Sequence, residues 1–567
     1  MEPTDSSSKS GEGVAGVERN EPPGRRISGG SPALDPGHPK PDQPNLELLT
    51  EGSQQGPAAA KTVAAIDVGS NSLRMVVAEV LPDGRIEVLE RLQRAVRLGH
   101  DTFVRGQLGG QSMRAALAVL RDYRKMLRLY HVERVRAVAT SAVREASNAD
   151  TFLDRIFMAT ELQVEVIDTS EESRLTVSAV RQSIGEALGV SRGQTLIAEV
   201  GGGSTLLTVL HDGEIAAAQS LRIGSIRLQE MLSTGGEPPQ RSAELLRQQI
   251  VNETSTLQHS LPLDGVDSFV AVGGDARFAA REIGKPGSSA PLVTVDRSEF
   301  DKLVRRCQGQ TAEELSKRHG LPFTEAETLV PALLVYQILL HKTRAQQMIV
   351  PPVSIRDGLL LDLARDVTGQ QDEVLLKGVI HSAMAIAEKY GASLEHAQNV
   401  ADLAVALFDQ LQADHGLGAR QRLLLMVAGL LHEIGSAVSS RAHHKHSYYL
   451  ISNSEIFGLT RDETTMVAHI ARYHRRGVPK PSHVEYMALP RKTRVVINKL
   501  AALLRIADAL VRGHLRQVSD LRFERQGDEL VVCVPGGADL LLERRAIADK
   551  GGLFEDIYGM KVRLEEV

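Results

Sequence analysis

The stretch from Thr62 to Leu92, TVAAIDVGSNSLRMVVAEVLPDGRIEVLERL, decides how this chain is read. Val63 to Asp67 is an apolar run closing on an acid, Gly69 to Ser72 are small, and Leu73 to Leu81 is largely apolar again. Pro82-Asp83-Gly84 then gives a turn before a third run. Apolar, β-branched runs bounded by Gly, Ser, Asn and Pro predict three strands joined by two tight turns. The pattern returns at Thr195–Leu221, TLIAEVGGGSTLLTVLHDGEIAAAQSL. Ile66-Asp67-Val68-Gly69-Ser70-Asn71-Ser72 matches Ala198-Glu199-Val200-Gly201-Gly202-Gly203-Ser204, and the Asp83-Gly84 turn recurs as Asp212-Gly213. An acid, a Gly loop, a Ser, a strand and an Asp-Gly turn in one order, twice, indicate an internal structural duplication.

Between and after these stretches, helical patterns such as MRAALAVLRDYRKMLRLY alternate with short strands such as VRAVAT and VEVID, which predicts an α/β layer architecture. From about residue 370 the periodicity is helical: EHAQNVADLAVALFDQL, RQRLLLMVAGLLHEIG, RDETTMVAHIARYH and VVINKLAALLRIADALV. The last stretch, LRFERQGDELVVCVP to KVRLEEV, reads as strands around a helix. Residues 1–60 are rich in Gly, Pro, Ser and charge, and are expected to form a disordered tail. The expected division is the tail 1–60, two α/β halves at 61–187 and 188–365, a helical domain at 366–515 and a small terminal α/β unit at 516–567.

Composition narrows the function classes. Hydrophobic residues make up 42% of the 567 and aromatics only 4%, with no Trp, so the cores rest on Leu, Val, Ile and Ala. The two cysteines, Cys307 and Cys533, fit a reducing compartment rather than a disulfide framework. No apolar run is read as a membrane span, and MEPTDSSSKS has no secretory core. A cytoplasmic protein without a membrane or DNA partner is expected. The net charge is −5, yet AHHKHS, ARYHRRGVPKP and LPRKTR form a local basic enrichment between His443 and Arg494.

A strand that ends in an acid and then small residues leaves backbone N–H groups to face an anion, and glycine lets phosphate oxygens approach. The acids Asp67 and Glu199 suit a Mg²⁺ held partly through water. One Gly loop reads as a plain hairpin; two matched loops, each preceded by an acid, point to a clamp on a phosphate chain. Gly273-Gly274 after the strand FVAV offers a helix N-terminus to the same ligand. Arg144, after ATSAV, is a candidate phosphate clamp. Glu171 and Glu172 follow a strand and begin a helix, with Thr169 or Ser170 as its cap; by residue type alone they serve the helix dipole as well as they serve chemistry.

In their order, IDVGSNSLRMVVAEV, ATSAVREASN, VEVIDTSEESRL, EVGGGST, SLRIGSIRL and VSIRDGLL resemble the exopolyphosphatase / guanosine pentaphosphate phosphohydrolase family, densely over residues 61 to 365. The resemblance implies duplicated actin-like (ribonuclease H-like) domains, and release of terminal phosphate from polyphosphate or pppGpp with Mg²⁺. It places the catalytic glutamate on Glu172 and the metal-binding acids on Asp67, Glu199 and Glu172. It places phosphate binding on Gly69, Ser70, Asn71, Ser72, Arg144, Gly201, Gly202, Gly203, Ser204 and Thr205. Three positions depart from its pattern: Glu199 where Asp is usual, Leu206 where an acid closes the GGGST loop, and Arg74 where His is common.

The helical region resembles an all-α HD-type phosphohydrolase domain. His396, His432, Glu433 and Asp508 would then be a second metal site, with Glu433 standing where Asp is usual. As an extension of the binding groove, the same region would place His443, His444, His446, Arg472, His474, Arg475 and Arg476 on the distal phosphates. Dimerisation is carried as an analogy to the longer members of that family. A phosphatase, a non-catalytic polyphosphate or alarmone sensor, and a kinase using the same cleft all remain open at this point.

Overall fold

The protein is described by a computed structural model covering residues 60–184, 193–233, 236–257, 261–287, 292–369, 373–475, 477–511, 521–534 and 540–566. The tail expected at 1–60, except its last residue, and Arg476 lie outside these described residues.

The opening stretch forms β1 (Lys61–Val68), β2 (Ser72–Val80) and β3 (Ile86–Ala95), joined later by β4 (Arg134–Ala139) and β5 (Val164–Val166). These make a five-stranded sheet in the order β3-β2-β1-β4-β5. The returning stretch forms β6 (Gln194–Val200), β7 (Thr205–His211) and β8 (Glu214–Leu221), joined by β9 (Val266–Val272), β10 (Lys285–Pro286), β11 (Val293–Asp296) and β12 (Gln347–Val350). Read from β8, this seven-stranded sheet runs β8-β7-β6-β9-β12-β11-β10. The first five strands repeat the first sheet's order: an antiparallel meander, then two parallel neighbours. The duplication seen in the sequence is therefore a duplication of topology.

The strands read as nearly continuous apolar runs because both faces of each sheet are covered. In the first sheet, Ala64, Ile66, Met75 and Val77 point into one core and Val63, Ala65, Val76 and Ala78 into another, as a side-chain period of two requires. The second of those cores is completed by Ile355, Leu359, Leu360 and Leu363 of helix Ile355–Thr368, so the VSIRDGLL segment returns to the first half. Helix Thr169–Ile184 lies across the join. Its Leu175 packs on the first sheet, while Val177, Val180 and Ile184 pack on the second. The two helices touch where Gly358 meets Leu175: a Cβ on Gly358 would lie 2.2 Å from the Leu175 carbonyl oxygen. Glycine there is set by close approach, since its φ is not in the left-handed region.

Helix Phe323–His341 is long and apolar enough to cross a membrane by length and composition alone, which the sequence reading did not anticipate. It is buried in the second half, with Leu333, Val335, Tyr336 and Leu340 in one core with Leu196, Ala198 and Phe269 of the sheet. The helical region follows. The terminal strands β13 (Arg522–Gln526), β14 (Glu529–Val534) and β15 (Lys561–Glu566) form a three-stranded sheet. Leu530, Val532, Phe554 and Leu564 of this terminal part join Leu403, Leu431, Ile470 and Leu504 of the helices in one core.

Candidate functional site

The two small-residue loops close in the same way. The Gly69 N–H donates to the Ser72 carbonyl at 3.2 Å, and the Gly201 N–H donates to the Ser204 carbonyl at 2.9 Å. They face each other so closely that a Cβ on Gly202 would lie 3.0 Å from Ser70 Cβ. One on Gly203 would lie 2.4 Å from Ser141 Oγ. None of Gly69, Gly201, Gly202 and Gly203 has a positive φ. No left-handed backbone angle therefore calls for glycine at these positions. They are small because two loops and a third segment meet there.

The loops border a cavity of about 370 Å³ lined by Asp67, Gly69, Ser70, Asn71, Ser72, Glu172, Glu199, Gly201, Gly202 and Ser204, among others. Ser72 Oγ is buried there without a protein partner, which leaves a donor for a ligand. The remaining expected residues stand elsewhere. Gly203 packs against Phe103 and Ser141. Thr205 is fully buried and its hydroxyl donates to the Ile223 carbonyl at 3.0 Å, so it is a strut for the loop. Arg144 donates to the Ile167 carbonyl at 2.7 Å and lies 3.4 Å from Glu172 Oε1. Its guanidinium thus sits behind Glu172 and holds that side chain.

The helix carrying Glu171 and Glu172 is capped by Asp168, whose carboxylate accepts the Glu171 N–H at 2.8 Å; Thr169 and Ser170 are inside the helix, not at its cap. The two acids then diverge, as consecutive helical positions must. Glu171 turns to Arg136 and Arg174, bonded at 2.8 Å and 2.7 Å, in a network that includes Asp362. Glu172 turns into the cavity and is 5% exposed. Burial is the main force on its proton, and the neighbouring Glu199 and Asp67 add to it. Together they outweigh Arg144 and push its pKa from the ordinary 4.5 up to about 7. Burial likewise raises Asp67 and Glu199.

Strand register explains the three departures. Asp67 pairs with Arg74 across β1 and β2, and Glu199 pairs with Leu206 across β6 and β7, so Arg74 and Leu206 are equivalent positions of the two halves. Arg74 Nη1 lies 3.6 Å from Asp67 Oδ2. Glu199 instead accepts a hydrogen bond from the Thr176 hydroxyl. One half has a cation opposite its acid and the other a methyl-bearing side chain.

The sequence reading missed several residues of this wall. Asp275 and Arg277 follow Gly273-Gly274 directly. Gly273 has φ 137° at the start of helix Gly274–Ile283, and both side chains border the cavity. Burial, with Glu325 nearby, pushes Asp275 up to about 7. Arg356 is 8% exposed; burial and the adjacent Arg74 push it down to about 10, with Asp67 opposing. Arg356 belongs to VSIRDGLL, so its segment was marked in the sequence while its direction was not.

The carboxylate oxygens of Asp67, Glu199 and Glu172 do not all lie within 4.8 Å of one another. Among the described residues, the trio of His or carboxylate donors whose ligand atoms all lie within 4.8 Å of one another is His396, His432 and Asp508. Glu433 stands outside that trio, with Oε2 3.6 Å from His396 Nε2. His474, expected in an exposed groove, is 1% exposed and stacks on His443, with ring centroids 5.1 Å apart. His443, His444 and His446 are half-buried, and Arg472 lies over the Tyr448 ring at 5.0 Å.

Residues 76–366 match the model of the Ppx/GppA phosphatase family, and residues 380–540 match that of Ppx/GppA phosphatase domain III. The chain is 24% identical over 476 residues to a guanosine-5'-triphosphate,3'-diphosphate pyrophosphatase of Vibrio vulnificus, covering 83% of this chain and 91% of the relative. A crystal structure of the Aquifex aeolicus member of the Ppx/GppA family is similar at 26% identity and a TM-score of 0.45, over 55% of this chain and 100% of that one. An exopolyphosphatase structure from Cytophaga hutchinsonii is similar at 22% identity and a TM-score of 0.49, over 54% of this chain and 98% of that one. With more than half of its length matched by the family model and its loops meeting around one buried glutamate, the chain belongs to the Ppx/GppA phosphatase family.

Proposed function

We propose that this chain is a phosphoanhydride hydrolase that releases terminal orthophosphate from inorganic polyphosphate, from pppGpp, or from both, in an actin-like cleft. The observation that carries the proposal is Glu172: a buried carboxyl whose proton affinity lies near neutral pH, in a cavity walled by two matched loops. A group with that affinity takes a proton from water readily and gives it up again. Glu172 accepts the proton as the water oxygen bonds to the terminal phosphorus, and the bridging oxygen leaves with the rest of the chain. Arg144 keeps the Glu172 carboxylate aimed at the cavity, while the loop residues Ser70, Ser72 and Ser204 orient the phosphate.

The acids fit a divalent cation, though not as a direct triad. Asp67, Glu199 and Glu172 are each raised by burial, and Glu172 also by the other two, a crowding that a dication relieves. Magnesium keeps several waters and takes one or two carboxylates plus phosphates, so Asp67 and Glu199 would hold it partly through water. When bound, it would neutralise charge on the phosphate chain. The helical region is assigned to the HD-like class in this reading, and His443, His444, His446 and Arg475 to distal phosphates.

A sensor without turnover is the second reading, and Leu206 favours it, because it faces Glu199 with no carboxylate of its own. Phosphate release from long polyphosphate, pppGpp and ATP with Mg²⁺, by wild type and Glu172→Ala, separates the two. We expect release by wild type and a fall of at least about 10²-fold in the variant. Tight polyphosphate binding by wild type without any release would establish the sensor instead.

A further inference from the structure

We infer that the helical region holds a divalent transition-metal ion on His396, His432, His474 and Asp508, apart from any Mg²⁺ in the cleft. Four different segments supply these residues. His396 is on helix Leu394–Gln410, and His432 ends helix Ala419–Leu431. His474 follows helix Arg461–Arg472, and Asp508 is near the end of helix Arg491–Leu510. His432 and Asp508 are 0% and 3% exposed, and with His396 they place ligand atoms within 4.8 Å of one another.

The imidazole tautomers are set from behind. His432 Nδ1 donates to the Gly429 carbonyl at 2.7 Å, so its Nε2 carries the lone pair. That Nε2 is buried and has no hydrogen-bond partner. A buried acceptor left unpaired costs free energy, and native proteins rarely retain one without a use. His474 is backed in the same way, its Nδ1 donating to the Ala471 carbonyl at 2.6 Å and its ring 5.0 Å from that of His432, while its Nε2 lies 3.1 Å from His443 Nε2, a contact it would exchange for the ion. An outward Nδ1–H fixed on a carbonyl is the support that metal-binding histidines ordinarily have.

The scaffold around the four residues is equally constrained. Ser447 Oγ donates to the His432 carbonyl at 2.7 Å and accepts the Gly435 N–H at 2.9 Å, pinning the turn after His432. Arg505, one turn before Asp508 and 2% exposed, donates to the carbonyls of Tyr473, Arg475 and Gly477, which fixes the loop carrying His474. It also donates to the Lys550 carbonyl at 2.8 Å, and Lys550 Nζ binds Asp508 Oδ2. Lys550 thus holds one oxygen of Asp508 and offsets part of its charge. His396 is the solvent side of the cluster, with 29% of its side chain exposed, and gives an ion its way in.

Three imidazoles and one carboxylate favour Fe²⁺, Co²⁺, Ni²⁺ or Zn²⁺ over Mg²⁺, which prefers oxygen. The test uses the untagged full-length protein, stripped with chelator, loaded with Co²⁺ or Zn²⁺, desalted and assayed for metal content and Co²⁺ d–d absorption. We expect about one ion per chain. His396→Ala and Asp508→Asn should weaken binding by at least about tenfold, while Asp67→Asn, which alters only the cleft, keeps both the ion and the spectrum. Circular dichroism in chelator establishes that each variant is folded. Less than about one-tenth of an ion per wild-type chain would overturn the assignment, as would Co²⁺ binding that survives His396→Ala and Asp508→Asn but is lost in Asp67→Asn.

Discussion

On the proposed mechanism, the proton on Glu172 links stability and turnover with opposite signs. Its pKa is about 7 in the folded chain against the ordinary 4.5, chiefly through burial, so the folded state binds the proton more tightly than the unfolded state. Stability therefore falls as pH rises from about 4.5 to about 7, in the protein without Mg²⁺ or substrate. The span of the shift corresponds to about 3 kcal/mol. Glu172→Gln should remove most of that slope, so the variant gains on wild type in urea unfolding at pH 8 and not at pH 4. A pH-independent difference between the two would contradict the assignment. If Glu172 is the base proposed above, phosphate release should rise with pH as its carboxyl loses the proton, and should not do so in Glu172→Gln.

At the scale of single elements, two helices and a hairpin loop meet because certain positions carry no side chain. Gly358 lets helix Ile355–Thr368 lie on Leu175 of helix Thr169–Ile184, and a Cβ would enter the Leu175 carbonyl at 2.2 Å. Gly358→Val should cost about 1–3 kcal/mol by forcing the helices apart. It should lower activity as well, because Glu172 rides on one of them. Thermal unfolding and phosphate release of the same preparation would check both, and a variant with wild-type stability would show that the helices separate freely. Gly203, against Phe103 and Ser141, holds the second loop to the third segment in the same manner.

Across the whole molecule, the first sheet is tied to the helix that crosses the join and to the returning VSIRDGLL helix by a charged network as well as by apolar packing. Arg174, 6% exposed at its side chain, binds Glu171 and Asp362, while Arg136 of β4 binds both of those acids. The network joins β4, the Glu172 helix and the VSIRDGLL helix. Removing Arg174 leaves Glu171 and Asp362 to share Arg136, so Arg174→Met should destabilise the chain by about 1–3 kcal/mol. Chemical denaturation measures this, and a loss below about 1 kcal/mol would mean the network is solvated. The same junction reaches the helical region, where the Arg461 N–H donates to Asp168 at 2.5 Å.

The duplicated strands and the two facing loops were legible in the sequence because they rest on local order, alternation and small residues at a turn, whereas Glu172 was marked only by the family resemblance. Which of two adjacent glutamates faces the cleft is also local in principle, but it depends on where the helix begins, and Asp168 rather than Thr169 or Ser170 sets that start. Other features were out of reach. Thr205 and Arg144 carry the right chemistry, yet one is a buried strut and the other supports Glu172, because their directions are fixed by Ile223 and Ile167. Asp275 and Arg277 come to the cavity from a segment far along the chain from Asp67 and Glu172, and Arg356 comes close enough to Asp67 to feel its charge. His474 left an apparently basic surface for the interior, drawn in by the loop that Arg505 clamps. The sequence by itself determined the repeated strand-loop-strand units, since residue type and spacing control local backbone. Tertiary structure alone decided which polar groups share a cavity, since that depends on how strands register and helices cross.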